Sequence, residues 1–139
     1  MIKVVCAIAI DSGKLLVGKR SEDKRFGGFW ELIGGKVQPG EAEEIALVRE
    51  IKEELGVESI VHSKFMSHIH NYGGFTIDLN AFFIDFINEP KNSNSHSELA
   101  YFNIEDLQLE YFLEADIPIL KELQTYFSEQ HNRKYPNHR

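Results

Sequence analysis

The segment from Gly34 to Val57 constrains the fold of this chain more than any other part of its sequence. The pair Gly34-Gly35 precedes residues 41–55, a stretch without Pro, Gly or Thr that has helical periodicity. Gly56 follows, where a glycine commonly ends a helix. The sequence therefore predicts a helix over 41–55, with apolar side chains on one face and glutamates on an adjacent face.

Short apolar segments on both sides of this helix predict β-strands, and turn residues separate them. The strands are expected over residues 2–10, 14–18, 31–33, 60–68, 75–87 and 99–102. The first two should form a hairpin through the turn at 11–13, and the glycine pair should end the third. Helical segments are expected over 104–107 and 117–127, the second with Pro118 in its first turn. The pattern predicts an α+β fold.

Composition and charge narrow the class of protein. The chain has 139 residues, which corresponds to one domain over 1–139, with a polar tail from about residue 130 that we expect to be frayed. Its 15 Lys and Arg against 22 Asp and Glu give a net charge of −7, which argues against a nucleic-acid polymer or an anionic membrane as partner. A lone cysteine and the lack of a signal-like or membrane-spanning segment predict a cytoplasmic protein.

The acidic face of the predicted helix carries the chemistry. Glu50, Glu53 and Glu54 fall within an arc of about 100°, where each pair of like charges costs about 0.2–0.5 kcal/mol on an isolated helix. Hard cations such as Mg²⁺ accept clustered carboxylate oxygens, and the loop Gly34-Gly35-Lys36 suits phosphates and metals. The other interpretation is an acidic helix face that contacts only water.

The same residues match the motif of a known family. This chain has every fixed position of the Nudix box, G-x5-E-x7-R-E-U-x-E-E-x-G-U with U aliphatic: Gly35, Glu41, Arg49, Glu50, Ile51, Glu53, Glu54, Gly56 and Val57. The chain resembles a Nudix hydrolase, and the order of its elements resembles the Nudix fold over residues 2–128. The resemblance implies a mixed central sheet sandwiched between helices.

The resemblance also implies roles for the residues of the box. Glu50, Glu53 and Glu54 would bind Mg²⁺, or Mn²⁺, with help from the carbonyl group of Gly34. Either Glu50 or Glu53 would take the proton of the attacking water, and both assignments stay open. Arg49, counted with these catalytic residues, would pair with Glu41 and hold the geometry of the site, while Gly35 and Gly56 would be structural. A further metal-binding glutamate is common in the family before the last strand, and Glu98 is the candidate here.

Residues 29–36 resemble the Trp-Glu-Phe-Pro-Gly-Gly-Lys segment of the MutT-like branch, which acts on nucleoside triphosphates, although Leu32 and Ile33 depart from it. In that branch the positions of Arg20 and Arg25 lie near the substrate, and Lys36 can reach phosphates. Guanidinium and ammonium groups suit phosphate oxygens. Ordinary surface charge is the other interpretation of the two arginines.

Residues 114–120 resemble a segment of the CTP pyrophosphohydrolase-like members, in which a polar residue at the position of Asp116 faces the base. A carboxylate there can accept a hydrogen bond from an exocyclic amine such as cytosine N4. Asp116 is equally suited to capping the helix that follows, so both roles stay open. For Trp30 and Tyr72, packing in the core is favoured over stacking on a base.

The predicted function is that of a Mg²⁺-dependent Nudix pyrophosphohydrolase. It would convert a nucleoside triphosphate, of the CTP or dCTP type or oxidised as in 8-oxo-dGTP, to a monophosphate and pyrophosphate, as a monomer or homodimer. One alternative is cleavage of another linked nucleotide, such as a dinucleoside polyphosphate, NADH or a nucleotide sugar. A non-catalytic nucleotide sensor is the other alternative, although such proteins usually lose the glutamates of the box.

Overall fold

The computed structural model describes the backbone of residues 1–134 and the side chains of residues 1–130. The strands are β1 (Ile2–Ile8), β2 (Ile10–Asp11), β3 (Lys14–Arg20), β4 (Trp30–Glu31), β5 (Gly34–Lys36), β6 (Ser59–Asn71), β7 (Thr76–Phe86) and β8 (His96–Asn103). The α-helices are α1 (Glu43–Leu55) and α2 (Ile117–Lys134). Short 3₁₀ turns lie at Ile104–Asp106, Leu109–Tyr111 and Glu114–Asp116.

The strands form two sheets. The first has the order β5-β1-β7-β6, in which β1 and β7 run parallel and the other pairs are antiparallel. In the second, β2, β4 and β8 all pair antiparallel with β3. The expected mixed sheet is therefore present, accompanied by a second, antiparallel sheet.

The first strand departs from the expected hairpin. Only Ile10–Asp11 pairs with β3, whereas β1 lies between β5 and β7. The physical reason is burial, because residues 5–9 are buried without a break and a strand that is apolar on both faces belongs in the interior of a sheet.

Alternate side chains of β1 enter two separate hydrophobic clusters. Cys6 and Ile8 lie in the cluster that contains Ile119, Leu120 and Leu123 of α2. Their neighbours on the strand lie in the cluster of α1, whose members include Val5, Ala7, Ala46, Leu47 and Ile51. Because successive side chains of a strand point to opposite faces, the two helices cover opposite sides of the sheets. This arrangement confirms the predicted α+β fold with helices on both sides.

Helix α1 closely matches its prediction. It begins at Glu43 rather than at residue 41, and it ends at Leu55 as expected. Gly56 adopts a left-handed conformation with φ 71°, and its N–H donates to the carbonyl of Lys52 at 3.0 Å. The prediction that Gly56 ends this helix is confirmed.

The glycine pair does not end a strand, contrary to expectation. Gly34 and Gly35 begin β5 and lie opposite Cys6 and Val5 of β1. A Cβ atom on Gly34 would overlap the carbonyl oxygen of Val5, so the absence of a side chain is what permits this pairing. The glycines thus bring β5 against β1. They also bring the last residue of β5, Lys36, towards α1.

Three of the later elements extend beyond their predicted bounds. Strand β8 begins at His96 instead of residue 99, and β6 extends to Asn71. Helix α2 continues to Lys134, so it includes residues 130–134 of the expected tail, and residues 135–139 lie outside the described part. No helix within residues 1–134 is long and apolar enough to cross a membrane.

Candidate active site

The acidic face of α1 lies against the glycine pair of β5. A Cβ atom on Gly35 would overlap the carboxyl group of Glu50, whose side chain is 16% exposed. The carboxylate of Glu50 therefore lies directly on the backbone of β5, in the space that a side chain at position 35 would fill.

Arg49 connects this carboxylate to its neighbours. Its Nε and Nη2 donate to the two carboxylate oxygens of Glu41 at 2.8 and 2.9 Å, and Nη1 lies 2.9 Å from Glu50 Oε1 and 3.3 Å from Glu53 Oε2. Nη2 also donates to the carbonyl of Lys36 at 3.0 Å. The hydrogen bonds from Arg49 to Glu41, with a further one from the backbone N–H of Gln38, lower the pKa of Glu41 to about 2. The ion pair between Arg49 and Glu41 is present, and it holds the loop before α1 against the helix.

Glu54 is the least satisfied of the three box carboxylates. The hydroxyl of Ser95 donates to its Oε1, while its Oε2 is buried and has no hydrogen-bond partner among the described residues. Burial, opposed by the Ser95 hydrogen bond, raises the pKa of Glu54 to about 7. A buried carboxylate oxygen without a donor is a group that a cation can satisfy.

The residues of the box fit a hard divalent cation. Glu53 is 59% exposed, Glu50 lies on the backbone of β5, and Glu54 offers its free oxygen. No three His, Cys, Asp or Glu side chains within residues 1–130 are already gathered into a closed metal site. An open arrangement suits Mg²⁺, which typically takes one or two carboxylates and completes its coordination with water and substrate phosphates.

A cavity of about 440 Å³ opens beside Glu54. Its charged and polar lining comprises the cations Arg20, Lys24, Arg25 and Lys36, the acids Glu31, Glu54 and Asp116, and the hydroxyl-bearing Ser95. Phe26, Tyr72 and Phe75 supply an aromatic wall, and Gly34 and Gly35 supply backbone. A cavity of this size, with cations beside carboxylates and aromatic rings, can hold a small anionic molecule that has an apolar ring.

The two arginines of the cavity are held in place. Arg20 Nη1 lies 3.2 Å from both carboxylate oxygens of Glu31, and its Nε donates to the carbonyl of Arg25 at 2.8 Å. The guanidinium of Arg25 lies 4.9 Å from the centre of the Phe75 ring. Both predicted arginines thus line the cavity, as does Lys36.

Asp116 is buried in the wall of the same cavity. Its Oδ2 accepts a hydrogen bond from the backbone N–H of Leu32 at 2.8 Å, and 5% of the residue is exposed. Burial, followed by the nearby carboxylate of Glu31, raises the pKa of Asp116 to about 8. At neutral pH this carboxyl group is therefore largely protonated, and it can donate a hydrogen bond as well as accept one.

The comparison with protein families decides the class of the chain. Residues 2–123 match the NUDIX domain. The chain belongs to the Nudix family. The CTP pyrophosphohydrolase of Escherichia coli K12 is 36% identical over 121 residues, which are 87% of this chain and 90% of that protein. This Nudix hydrolase therefore has a relative that matches it along most of both chains.

Solved structures of other proteins share the fold of this chain. The solution structure of the E. coli ORF135 protein matches with a TM-score of 0.74 and 36% identity, over 90% of this chain and 89% of that one. The MutT protein from Methanosarcina mazei Go1 matches with a TM-score of 0.80 over 90% and 94% of the two chains, and its 24% identity supports the fold alone. The predicted Nudix fold is confirmed.

Glu98, the further metal-binding glutamate expected from the resemblance, does not line the cavity. It lies within β8 opposite Lys19 and is exposed, and it is not among the described residues that line the cavity. The reason is that β8 begins at His96, so position 98 belongs to a strand rather than to a loop over the site. Its assignment as a metal ligand stays a prediction.

Sequence reasoning missed several residues of the cavity. Glu31 and Ser95 lie in segments that resemble the family but were given no role, and the aromatic residues Phe26 and Phe75 carry no recognisable motif. The expectation that aromatic residues would pack in the core holds for Trp30, which packs on Phe102 with ring centres 4.9 Å apart. Tyr72 also packs against the core, and in addition it lines the cavity and stacks on Phe75, with ring centres 5.2 Å apart.

The burial of Asp116 predicts a pH dependence of stability. The pKa is about 8 in the folded protein against an ordinary value of 3.8, so the folded state retains a proton that the unfolded state releases. Asp116 therefore lowers stability progressively as the pH rises from about 4 to about 8. We expect Asp116→Asn, whose amide oxygen can still accept from Leu32, to raise Tm more at pH 8.5 than at pH 5.

Thermal melting followed by circular dichroism at the two pH values measures this difference. A change of about 1 kcal/mol corresponds to about 4 °C in Tm for a chain of this size, and we expect at least that much between the two conditions. The exposed Asp106→Asn is the matched control. The same change in Tm at both pH values for Asp116→Asn would contradict the prediction.

Proposed function

We propose that this Nudix hydrolase converts a nucleoside triphosphate to a nucleoside monophosphate and pyrophosphate, with Mg²⁺ as its metal. One observation supports this proposal above the others. A single cavity is lined by the box carboxylate Glu54, by four cationic side chains and by an aromatic wall with Asp116 beside it. A triphosphate joined to a base needs these three kinds of surface in one place.

The cations suit the phosphates of the substrate. Arg20, Arg25, Lys24 and Lys36 surround a space that also contains the backbone of the glycine pair. Guanidinium groups bind phosphate oxygens through paired, charge-assisted hydrogen bonds, and lysines add compact positive charge. In a chain with a net charge of −7, this local excess of positive charge is what allows an anionic substrate to approach.

The base side of the cavity favours a base with an amino group. A protonated carboxyl group at Asp116 offers one donor and one acceptor, which match the ring nitrogen N3 and the amino group N4 of cytosine. The E. coli relative that matches most of this chain is named for CTP, which supports the same choice. We therefore propose CTP or dCTP as the preferred class of substrate.

Three glutamates and one carbonyl group would hold the metal: Glu50, Glu53, Glu54 and the carbonyl of Gly34. When bound, a divalent cation neutralises phosphate charge and lowers the pKa of a coordinated water. Either Glu50 or Glu53 accepts the proton of the attacking water, and Arg49 Nη1 donates a hydrogen bond to each of these carboxylates and so holds them in position. The oxygen of water adds to phosphorus as the bond to the bridging oxygen breaks, and pyrophosphate leaves.

Product analysis tests the proposed function. The protein is incubated with Mg²⁺ and, separately, with CTP, dCTP, UTP, 8-oxo-dGTP, NADH, ADP-ribose and diadenosine tetraphosphate, and the products are separated by chromatography and identified by phosphorus NMR. We expect CMP or dCMP with pyrophosphate, at higher kcat/KM than for UTP. Turnover of only a dinucleotide or ADP-ribose would contradict the triphosphate proposal. Nucleotide binding without any turnover would favour the sensor.

A further inference from the structure

The chain just before β8 lies against the end of α1. The backbone N–H of Asn94 donates to the carbonyl of Glu54 at 2.9 Å, and its side-chain Nδ2 donates to the carbonyl of Glu53 at 2.9 Å. These carbonyls belong to the last turn of the helix, where no intrahelical donor is available. We call residues 93–96 the 93–96 segment. Asn94 holds this segment against the turn of α1 that carries the box glutamates Glu53 and Glu54.

Ser95 contacts the carboxyl group of Glu54 directly. Its hydroxyl donates to Glu54 Oε1, which leaves Oε2 as the oxygen without a partner. Ser95 itself is held on two further sides, because its N–H donates to Ser93 Oγ at 3.2 Å and its carbonyl accepts from Lys24 Nζ at 3.0 Å. A fixed hydroxyl on one oxygen of a carboxylate sets the direction in which the other oxygen points.

His96 contacts the substrate side of the cavity through Glu31. Its side chain is 2% exposed, with Nε2 2.9 Å from Glu31 Oε2 and Nδ1 2.8 Å from Ser93 Oγ. A Cβ atom on Gly18 would lie 2.6 Å from Cδ2 of the ring, so β3 has a glycine where the imidazole is seated. Glu31 in turn holds the guanidinium of Arg20 at 3.2 Å.

We propose that the 93–96 segment positions two halves of the site, a metal half that contains Glu54 and a substrate half that contains Glu31 and Arg20. Ser95 orients Glu54, and His96 orients the Glu31–Arg20 pair. Neither residue is catalytic, because each acts through the carboxylate that it contacts. This assignment deepens the proposed function and rests on it, because the proposed function is what makes one half the metal site and the other the substrate site. Because Ser95 and His96 act on different halves, replacing Ser95 should change metal binding and replacing His96 should change substrate binding.

The Ser95 half is tested by the binding of Mn²⁺ without nucleotide, followed by electron paramagnetic resonance. Ser95→Ala is expected to raise the Kd for Mn²⁺ about tenfold, as is typical when a hydrogen-bond partner of a metal ligand is lost. Ser95→Thr keeps the hydroxyl and should restore the wild-type Kd. Ser97→Ala is the matched control, since the Ser97 hydroxyl contacts only the carbonyl of Lys19 among the described residues, at 3.3 Å.

The His96 half is tested by steady-state kinetics with CTP and Mg²⁺. The amide of glutamine can donate from the position of Nε2, whereas that of asparagine reaches only the position of Nδ1. His96→Asn is therefore expected to raise KM about fivefold with little change in kcat, through the loss of a charge-assisted hydrogen bond. His96→Gln should stay close to wild type, and neither variant should change the Kd for Mn²⁺.

Several outcomes would overturn the proposal. An unchanged Kd for Mn²⁺ in Ser95→Ala would do so, and so would equal changes of both readouts in Ser95→Ala and His96→Asn, because that pattern indicates a merely structural role. If His96→Asn does not fold in a thermal melt, Ser93→Ala replaces it in the kinetics alone, because Ser93 Oγ contacts both His96 Nδ1 and the N–H of Ser95. A smaller rise in KM is then expected, and an unchanged KM counts against the proposal. Binding of Mn²⁺ by the wild type without release of pyrophosphate would overturn the proposed function alone, since the Ser95 comparison needs only the ion.

Discussion

Replacing Glu54 with glutamine is expected to lower kcat for nucleoside triphosphate hydrolysis by about a hundredfold or more while the protein stays folded. Glu54 Oε2 is buried and has no donor among the described residues, so we propose it as a metal ligand. Glutamine keeps the shape of the side chain but removes the charge. Loss of an outer hydrogen-bond partner of a metal ligand already costs about 10–100-fold, and loss of a ligand should cost at least the upper end of that range.

The folded state of Glu54→Gln should not be weaker than that of the wild type without metal. Burial raises the pKa of this carboxyl group, which means that its charged form is unfavourable in the folded protein, and glutamine is neutral. Melting curves at pH 8, Mn²⁺ binding and kcat are therefore measured together. Glu44→Gln is the control, because Glu44 is an exposed glutamate of the same helix. A wild-type kcat in Glu54→Gln would contradict the proposed role.

Replacing the two glycines of β5 with alanine is expected to have different effects: Gly34→Ala should lower stability, and Gly35→Ala should lower activity. A Cβ atom on Gly34 would overlap backbone atoms of Val5 and Cys6 in the neighbouring strand, which cannot move without separating β5 from β1. Gly34→Ala should therefore cost about 3 kcal/mol or more in the free energy of unfolding. A Cβ atom on Gly35 would overlap only the carboxyl group of Glu50, which is the end of a flexible side chain.

Gly35→Ala should therefore fold and lose activity, because Glu50 has to leave its place on the backbone of β5. We expect a fall in kcat of about tenfold or more with a nearly unchanged Tm, since the displaced carboxylate is a proposed metal ligand. Denaturant unfolding measures stability for both variants, and kcat is measured for Gly35→Ala. Gly74→Ala is the control, because nothing lies within 4 Å of the added atom there. A stable Gly34→Ala, or a fully active Gly35→Ala, would contradict the prediction.

The candidate site shows how distant segments combine. Glu54 comes from α1, Arg20 and Glu31 from the second sheet, and Asp116 from the turn before α2. The hydroxyl of Ser95 donates to Glu54, and the backbone N–H of Leu32, between β4 and β5, donates to Asp116. Side chains from α1, the second sheet, the 93–96 segment and the turn before α2 thus line one cavity, so a change in the loops can alter substrate choice without touching the box.

Sequence by itself determined the features that depend on near neighbours along the chain. The spacing of apolar residues and glutamates predicted α1 to its last residue, the glycine at position 56 predicted its end, and the box motif predicted the family. These predictions succeed because helix periodicity, capping and a 23-residue motif are local properties. Arg20, Arg25 and Asp116 were also placed at the cavity, through resemblance in short flanking segments.

Only the tertiary structure decided the features that depend on strand pairing. Strand β1 lies between β5 and β7 instead of forming a full hairpin, and the pairing of β3 with β8 places His96 opposite Arg20. That register places Glu98 opposite Lys19 and His96 opposite Arg20, where the imidazole contacts Glu31. A shift of one residue reverses the face of every side chain in a strand, so the partners of these residues are set by contacts across the sheets rather than by neighbours in sequence.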